Sequence, residues 1–223
     1  MELLSASWGI AMTQVLLITS SLFGVKSKSR QVAIELIDAL SKSYAGTHVV
    51  ERDLYADALP HLSQQAFLAR KVPEEELTDE QRALLATSVA EIHKLQAADI
   101  IVITAPMTNF SIPSALKVWI DHIVAAGMTF RYCSGRPEGL LRAKKVFVVS
   151  ARGNVYAGDA AMAQFDHCEP YLRAVLGFVG LTDVTFIPVE GQGRGPEAAA
   201  KGLACARNLI DGILSHEYHQ RHA

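Results

Sequence analysis

Short apolar runs recur along this chain, each followed by a polar loop and then by a helical pattern. Gln14-Val-Leu-Leu-Ile-Thr-Ser20 is the first. Its unbroken apolar character suits a strand buried on both faces, as in a parallel sheet. Asp99–Thr104, Lys144–Ser150 and Thr182–Val189 read the same way. Thr47-His-Val-Val-Glu-Arg-Asp53 is more polar, which places it nearer a sheet edge. Between these runs the period changes. Ala33, Leu36, Ile37 and Leu40 predict a helix from Arg30 to near Gly46. Thr78 and Gln81 have capping-box spacing, and the helix they open runs to about Ala97. Ser114–Ala126 is predicted helical with Ala115, Trp119, Ile120 and Ile123 on one stripe, and Phe165–Val179 around Tyr171, Leu172, Val175 and Leu176. Gly195-Pro-Glu197 opens a last helix that runs to about His216. Gln64–Lys71 reads as a short helix within the long connection Leu54–Asp79, and Thr129–Tyr132 as a brief β excursion.

Five apolar strands alternating with helices predict an α/β protein: a doubly wound parallel sheet with right-handed crossovers. Five strands rather than six favour the order 2-1-3-4-5. No linker or repeat interrupts residues 12–217, which read as a single domain. Residues 1–11 read as an extension upstream of Met12, expected to be poorly ordered. Residues 218–223 read as a tail.

Composition narrows the function classes. Half of the 223 residues are hydrophobic, a fifth are charged, and the formal net charge is −2. No field for nucleic acid or an acidic membrane is implied. Cys133, Cys168 and Cys205 form no CxxC and no metal-ligand spacing, which suits reduced thiols in a cytoplasm. Met1–Ala11 lacks the basic start of a signal peptide, and no apolar run approaches the ~20 residues of a membrane helix. His216, His219 and His222 read as solvated helix surface, and Glu74–Glu76 as a solvated charge run. No metal site is expected.

In a 2-1-3-4-5 sheet the ligand sits where strand order reverses, outside the carboxyl ends of the first and third strands. Three loops converge there. Ser20–Ser29 offers the hydroxyls of Ser21, Ser27 and Ser29 beside a helix N-terminus, which suits a phosphate or simple capping by serine. It is neither GxGxxG nor a nucleotide-triphosphate loop. Pro106-Met-Thr-Asn-Phe110 has a polar and an apolar side for a flat ring; equally, Phe110 reads as core and Asn109 as a turn residue. Ala151-Arg-Gly-Asn154 places Gly153 where a backbone can approach a ligand closely. Arg152 reads there either as a stabiliser of negative charge on a reduced ligand or as a solvated strand-end arginine.

Taken together, these residues resemble the FMN-dependent NADH:quinone oxidoreductase and azoreductase family of the flavodoxin-like fold. The resemblance runs from about Val15 to Ile213. It rests on Thr19-Ser-Ser21 with Ser27-Lys-Ser29, on Ala105–Phe110 with Leu116-Lys117 and Asp121, and on Gly127–Tyr132. Pro137-Glu-Gly139, Lys144-Lys145 and Leu176–Asp183 complete it. It implies bound FMN, with phosphate on Ser21, Ser27, Lys28 and Ser29. It implies Pro106, Met107, Thr108, Asn109 and Phe110 flanking the flavin ring, and Ala151, Arg152, Gly153 and Asn154 on its far side. It further implies NADH or NADPH as electron donor, a ping-pong exchange with a quinone or azo compound, no side-chain nucleophile, and a homodimer with sites at the subunit interface. Phe110 and Tyr132 are the candidates for the substrate-facing wall. Tyr132 reads equally as dimer-interface packing. The family carries tyrosine where this chain has Thr108, and a Ser-Arg-Gly-Gly-like loop where it has Ala151-Arg-Gly-Asn154, so substrate range is where a difference is expected.

Two other classes compete. A flavodoxin-type electron carrier is strongly acidic, which a charge of −2 does not match. A phosphorylated receiver needs acidic residues at the end of its first strand, where Ile18-Thr-Ser20 supplies none.

Overall fold

β1 (Gln14–Thr19), β2 (His48–Asp53), β3 (Ile100–Thr104), β6 (Lys145–Ala151) and β7 (Asp183–Val189) form one parallel sheet in the order β2-β1-β3-β6-β7. This is the 2-1-3-4-5 order, with the polar strand β2 at an edge. The structure, a computed structural model, describes residues 12–44 and 46–222, and for residues 216–222 the backbone alone. The expected disorder of residues 1–11 and the side chains of His216, His219 and His222 lie outside the described residues.

Helices cover both faces because successive strand residues point to opposite sides. Leu16 and Ile18 of β1 join Ile101 and Ile103 of β3 and Val146 and Val148 of β6 on one face. There they pack against Ile92, Leu95, Leu116, Trp119, Leu172 and Leu176. These come from α3 (Asp79–Ala97), α4 (Ser114–Ile123) and α6 (Glu169–Phe178). Val15, Leu17, Val102, Phe147 and Val149 face the other way, onto Val32, Leu36 and Leu40 of α1 (Lys28–Ser43) and Ala206 and Ile210 of α7 (Pro196–His222). Burial on both faces is why these strands read as unbroken apolar runs; each such side chain contributes about 1.5–3 kcal/mol. The edge strand is tied in differently. Arg52 and Glu91 are buried and paired at 3.0 Å, and Trp119 Nε1 donates to the same carboxylate at 3.1 Å. Trp119 is therefore core.

Three predicted boundaries move, each for a visible reason. α4 stops at Ile123 rather than Ala126. Arg70, just after the short α2 (Gln64–Ala69), donates to the carbonyls of Asp121, His122 and Val124, and Thr129 Oγ1 donates to that of Ile123. The helix's open carbonyls are satisfied there and it ends. α6 starts at Glu169 rather than Phe165, because the Asp166 carboxylate accepts the backbone N–H groups of Cys168 and Glu169. The stretch before it holds a short helix, α5 (Ala160–Ala163), capped by Asp159. α7 runs to His222, past the expected end near His216, with no glycine or proline in that last stretch to stop it.

The β excursion at Thr129–Tyr132 is half of an antiparallel hairpin, β4 (Phe130–Cys133) and β5 (Arg136–Gly139). Ser134 and Gly135 both have positive φ, the geometry of a tight two-residue hairpin turn. The hairpin is rooted at the amino edge of the sheet. Leu141 N–H donates to Val179 O, and a Cβ on Gly139 would lie 2.1 Å from Gly180 N, just ahead of β7.

Candidate functional site

Parallel strands deliver their loops to one rim, and four loops meet there. The first follows β1. A 3-10 turn over Gly24–Lys26 lets Ser27 cap α1, its hydroxyl accepting Arg30 N–H at 3.3 Å. Ser27 Oγ also lies 3.0 Å from Ser29 Oγ, and both side chains are buried with Ser21. Lys28, the first residue of α1, stands exposed beside them. At the end of β1, Thr19 Oγ1 is buried, and no protein group bonds it. A buried hydroxyl without a partner costs about 1–3 kcal/mol. Three buried serines, an orphan threonine hydroxyl and the positive end of a 16-residue helix form a donor-rich cradle that fits a phosphate-bearing cofactor.

Ser20 joins this loop to the next: its N–H donates to Thr104 Oγ1 at 3.1 Å, and its hydroxyl donates to Thr104 O. After β3, Met107 N–H donates to Ala151 O, which continues the ladder with β6 past the strand end. The chain then reverses through Thr108-Asn109-Phe110-Ser111. Thr108 and Ser111 exchange backbone hydrogen bonds at 2.9 and 3.1 Å, and Asn109 and Phe110 have φ of 47° and 69°. Left-handed backbone is costly for a phenylalanine. It is held by the Thr108–Ser111 pair and by His167 N–H donating to Phe110 O at 2.9 Å. The turn leaves Pro106 and Met107 half-buried and Thr108, Asn109 and Phe110 exposed on the rim. Phe110 is therefore rim, not core.

The third loop departs from the reading of Arg152 as a charge stabiliser for a ligand. Its guanidinium is 5% exposed and faces Asp166 at 2.9 Å, Glu169 at 3.4 Å and Glu190 at 3.6 Å. Nor is it a solvated strand-end arginine. Three carboxylates more than neutralise it, so its charge is spent inside the protein. Glu190 also accepts the N–H groups of Tyr156 and Ala157. Gly153 is exposed, and its carbonyl accepts Gly193 N–H at 2.8 Å. The Asn154 side chain is held by Val155 N–H and Arg194 at 2.9 Å each. Gly153, Asn154 and half-buried Ala151 therefore border the rim with a stiffened backbone.

A fourth wall, Glu190–Gly195 after β7, was not anticipated. The glycines of Gly191-Gln-Gly193-Arg-Gly195 were the available signal: a Cβ on Gly193 would come within 3.2 Å of Gly153 O. Ser20, Thr19 and Phe165 were also missed. Phe165 packs its ring 5.3 Å from that of Phe110.

Tyr132 is not brought to this rim. It lies on β4, 68% exposed and edge-on to Phe130, on the hairpin rooted at the opposite edge of the sheet. Within one chain, Tyr132 and Phe110 therefore lie on different edges of the sheet. His167 and Cys168 form no thiolate pair either: burial pushes the Cys168 thiol up to about 11, against the lowering effects of Ser150 and Arg152. Among the described residues no cluster of potential metal ligands occurs, and no helix is long and apolar enough to cross a membrane.

Known proteins resemble this chain in sequence and fold. Residues 13–213 match the family described as having a flavodoxin-like fold. The FMN-dependent NADH:quinone oxidoreductase of Paraburkholderia phymatum is 49% identical over 199 residues, covering 89% of this chain and 98% of that one. FMN-dependent NADH:quinone oxidoreductase 6 of Burkholderia lata is 50% identical over the same shares. Among solved structures, the azoreductase of Bacillus anthracis superposes with a TM-score of 0.78 at 26% identity, covering 91% of this chain and 99% of that one. Identity near one half over almost the whole of a relative, with the family match over residues 13–213, settles membership: the chain belongs to the family of FMN-dependent NADH:quinone oxidoreductases, within the flavodoxin-like fold.

Proposed function

We propose that this chain binds FMN at the four-loop rim and catalyses electron transfer from NADH to quinones, with reductive cleavage of aromatic azo compounds at the same site. The observation that carries the reading is the cradle at the end of β1. Buried Ser21, Ser27 and Ser29 and the unpartnered Thr19 hydroxyl sit at the α1 N-terminus, beside the Met107–Phe110 turn. An anionic phosphate satisfies the first feature and a flat ring the second.

FMN held by these residues would supply the two-electron chemistry between NADH and the acceptor. The protein's part is binding and placement. Ser21, Ser27, Ser29 and Lys28 hold the phosphate. Met107 and Phe110 give apolar contact, while Asn109 offers polar contact to the ring edge and Thr108 lies exposed beside it. Ala151, Gly153 and Asn154 border its far side, and Arg152 holds that border in place through its carboxylates. Thr108 is smaller than the family's tyrosine and leaves a wider opening for the acceptor. A quinone takes up one hydride equivalent and a proton to become a hydroquinone. Cleavage of an azo bond to two amines consumes a second NADH. The two substrates share one space and act in turn, the ping-pong order.

The working unit is a homodimer, in which Tyr132 serves the second subunit's site from its own hairpin. What supports this is the position of Tyr132, an exposed aromatic on the rim away from its own loops. The three unpaired cysteines suit a reducing cytoplasm. The test is direct. The purified protein is expected to be yellow, to release FMN on denaturation, and to oxidise NADH only when a quinone is added. A colourless protein that FMN neither binds nor stabilises overturns the reading; a flavin-bound protein inert to NADH makes it an electron carrier instead. A fully active monomer overturns the dimer.

A further inference from the structure

Between β6 and α6 the chain makes a long excursion, Val155–Cys168, that folds back over the rim. Four contacts pin its end. Asp166 pairs with Arg152 at 2.9 Å, and the same carboxylate caps α6. His167 N–H donates to Phe110 O at 2.9 Å. Immediately before these anchors, Phe165 lays its ring against Phe110, centroids 5.3 Å apart and planes tilted by 33°. Both rings remain open to solvent, Phe110 at 47% and Phe165 at 41% exposure. Apolar rings buried against each other usually hide more of their surface, and these two keep one side free at the mouth of the site.

The pinning argues against an accidental contact. Phe110 is held in left-handed backbone by its turn, which sets the direction in which its side chain leaves the chain. Phe165 is delivered by a segment whose last residues are bonded both to that turn and to the buried Arg152 cluster. Two loops far apart in sequence are thereby fixed so that their rings form one continuous aromatic edge. Fixed aromatic faces with little side-chain freedom to lose make efficient contact surfaces.

We propose that Phe165 is a specificity-determining residue for the electron acceptor: with Phe110 it forms an aromatic shelf that selects flat acceptors of two or more fused rings over single-ring quinones. The inference rests on the proposed quinone-reductase reading. A single-ring acceptor is covered by the turn residues alone. A fused-ring acceptor extends past Phe110 and gains the Phe165 face. An aromatic pair contributes about 0.5–1.5 kcal/mol beyond its buried area, which converts to about two- to tenfold in kcat/KM.

The experiment compares wild type, Phe165→Ala and Phe165→Leu, each loaded with FMN, on benzoquinone, a naphthoquinone and an anthraquinone. The expected result is a fall of about two- to tenfold in the naphthoquinone-to-benzoquinone ratio of kcat/KM for Phe165→Ala. The anthraquinone ratio should fall at least as far. Phe165→Leu should lose nearly as much, because it keeps the apolar bulk but not the ring face. Equal losses on all three acceptors, or a Phe165→Leu variant with the wild-type ratio, overturn the proposal. Failure of the underlying reading registers elsewhere, as wild-type protein that takes up no FMN or is not reduced by NADH before any acceptor is added.

Discussion

Replacing Arg152 by alanine tests whether the guanidinium supports the fold of the rim or acts on the ligand. It is 5% exposed and has Asp166 at 2.9 Å, with Glu169 and Glu190 farther off at 3.4 and 3.6 Å. Removing one partner of a buried pair costs about 3–5 kcal/mol, because the other charge is left buried. Two features pull the figure to the lower end. Asp166 keeps the N–H groups of Cys168 and Glu169, and Glu190 keeps those of Tyr156 and Ala157. Glu169 is also 28% exposed and Arg173 reaches it at 2.6 Å. The loss should therefore be about 3 kcal/mol, a large share of the roughly 5–15 kcal/mol that holds a domain folded. In a chain of this length that shifts the melting temperature by about 6–12 °C. The assay is urea and thermal unfolding of the FMN-free protein at fixed concentration, so that ligand and subunit binding do not enter. Arg152→Lys keeps the charge but not the fork, and should recover part of the loss. A loss below about 1 kcal/mol in the FMN-free protein would place the cluster with solvent-screened surface pairs and refute the argument. A variant with wild-type stability but impaired reduction by NADH would restore Arg152 to the ligand.

Other outcomes follow from single observations. Ser29→Asp puts a carboxylate into the buried cradle at the α1 N-terminus and should weaken FMN binding at least tenfold by fluorescence titration; unchanged affinity moves the phosphate elsewhere. Gly139→Ala drives a Cβ to within 2.1 Å of Gly180 N, backbone against backbone, and should destabilise by about 3 kcal/mol or more in urea melts; a neutral result means the hairpin root is not rigidly seated. The Cys168 thiol is pushed up to about 11 by burial, so at pH 8 a thiol reagent should label Cys133 and Cys205 in the native protein and Cys168 only after unfolding. The same shift sets a sign. The folded state holds that proton more tightly than the unfolded chain, so the contribution is intact below about pH 9 and is lost as pH rises towards about 11. The loss is roughly 3 kcal/mol, and Cys168→Ser should flatten that part of the stability profile.

The central strands β1, β3 and β6 were legible because burial on both faces leaves no alternation to misread, and the count of five strands was enough to choose the order. The hairpin was half legible. Pro137-Glu-Gly139 reads only as a family motif, with no strand assigned to it, yet Gly139 is where β5 approaches the backbone ahead of β7, and Ser134-Gly135 was the turn signal at hand. The phosphate cradle was legible as residue types. The orphan Thr19 hydroxyl was not, since only packing decides whether a strand-end threonine finds a partner.

Arg152 marks where local reading stops. An arginine at a strand end beside a glycine looks free to meet a ligand, and nothing nearby in sequence says otherwise. Its partners come from the segment before α6, from the first residue of α6 and from the loop after β7, which only the closed sheet brings together. The same closure sets Phe165 against Phe110 and leaves Tyr132 on the far rim. Motif residues contiguous with a strand could be assigned to the rim, because the strand carries them there. Residues whose task depends on a second loop could not, because the sequence separation between the loops holds no record of the distance between them. The resemblance to a family supplied expectations of ligand contacts along each loop. It did not supply the buried charge cluster that holds the third and fourth loops at their distance, and that cluster makes the rim a site rather than four separate turns.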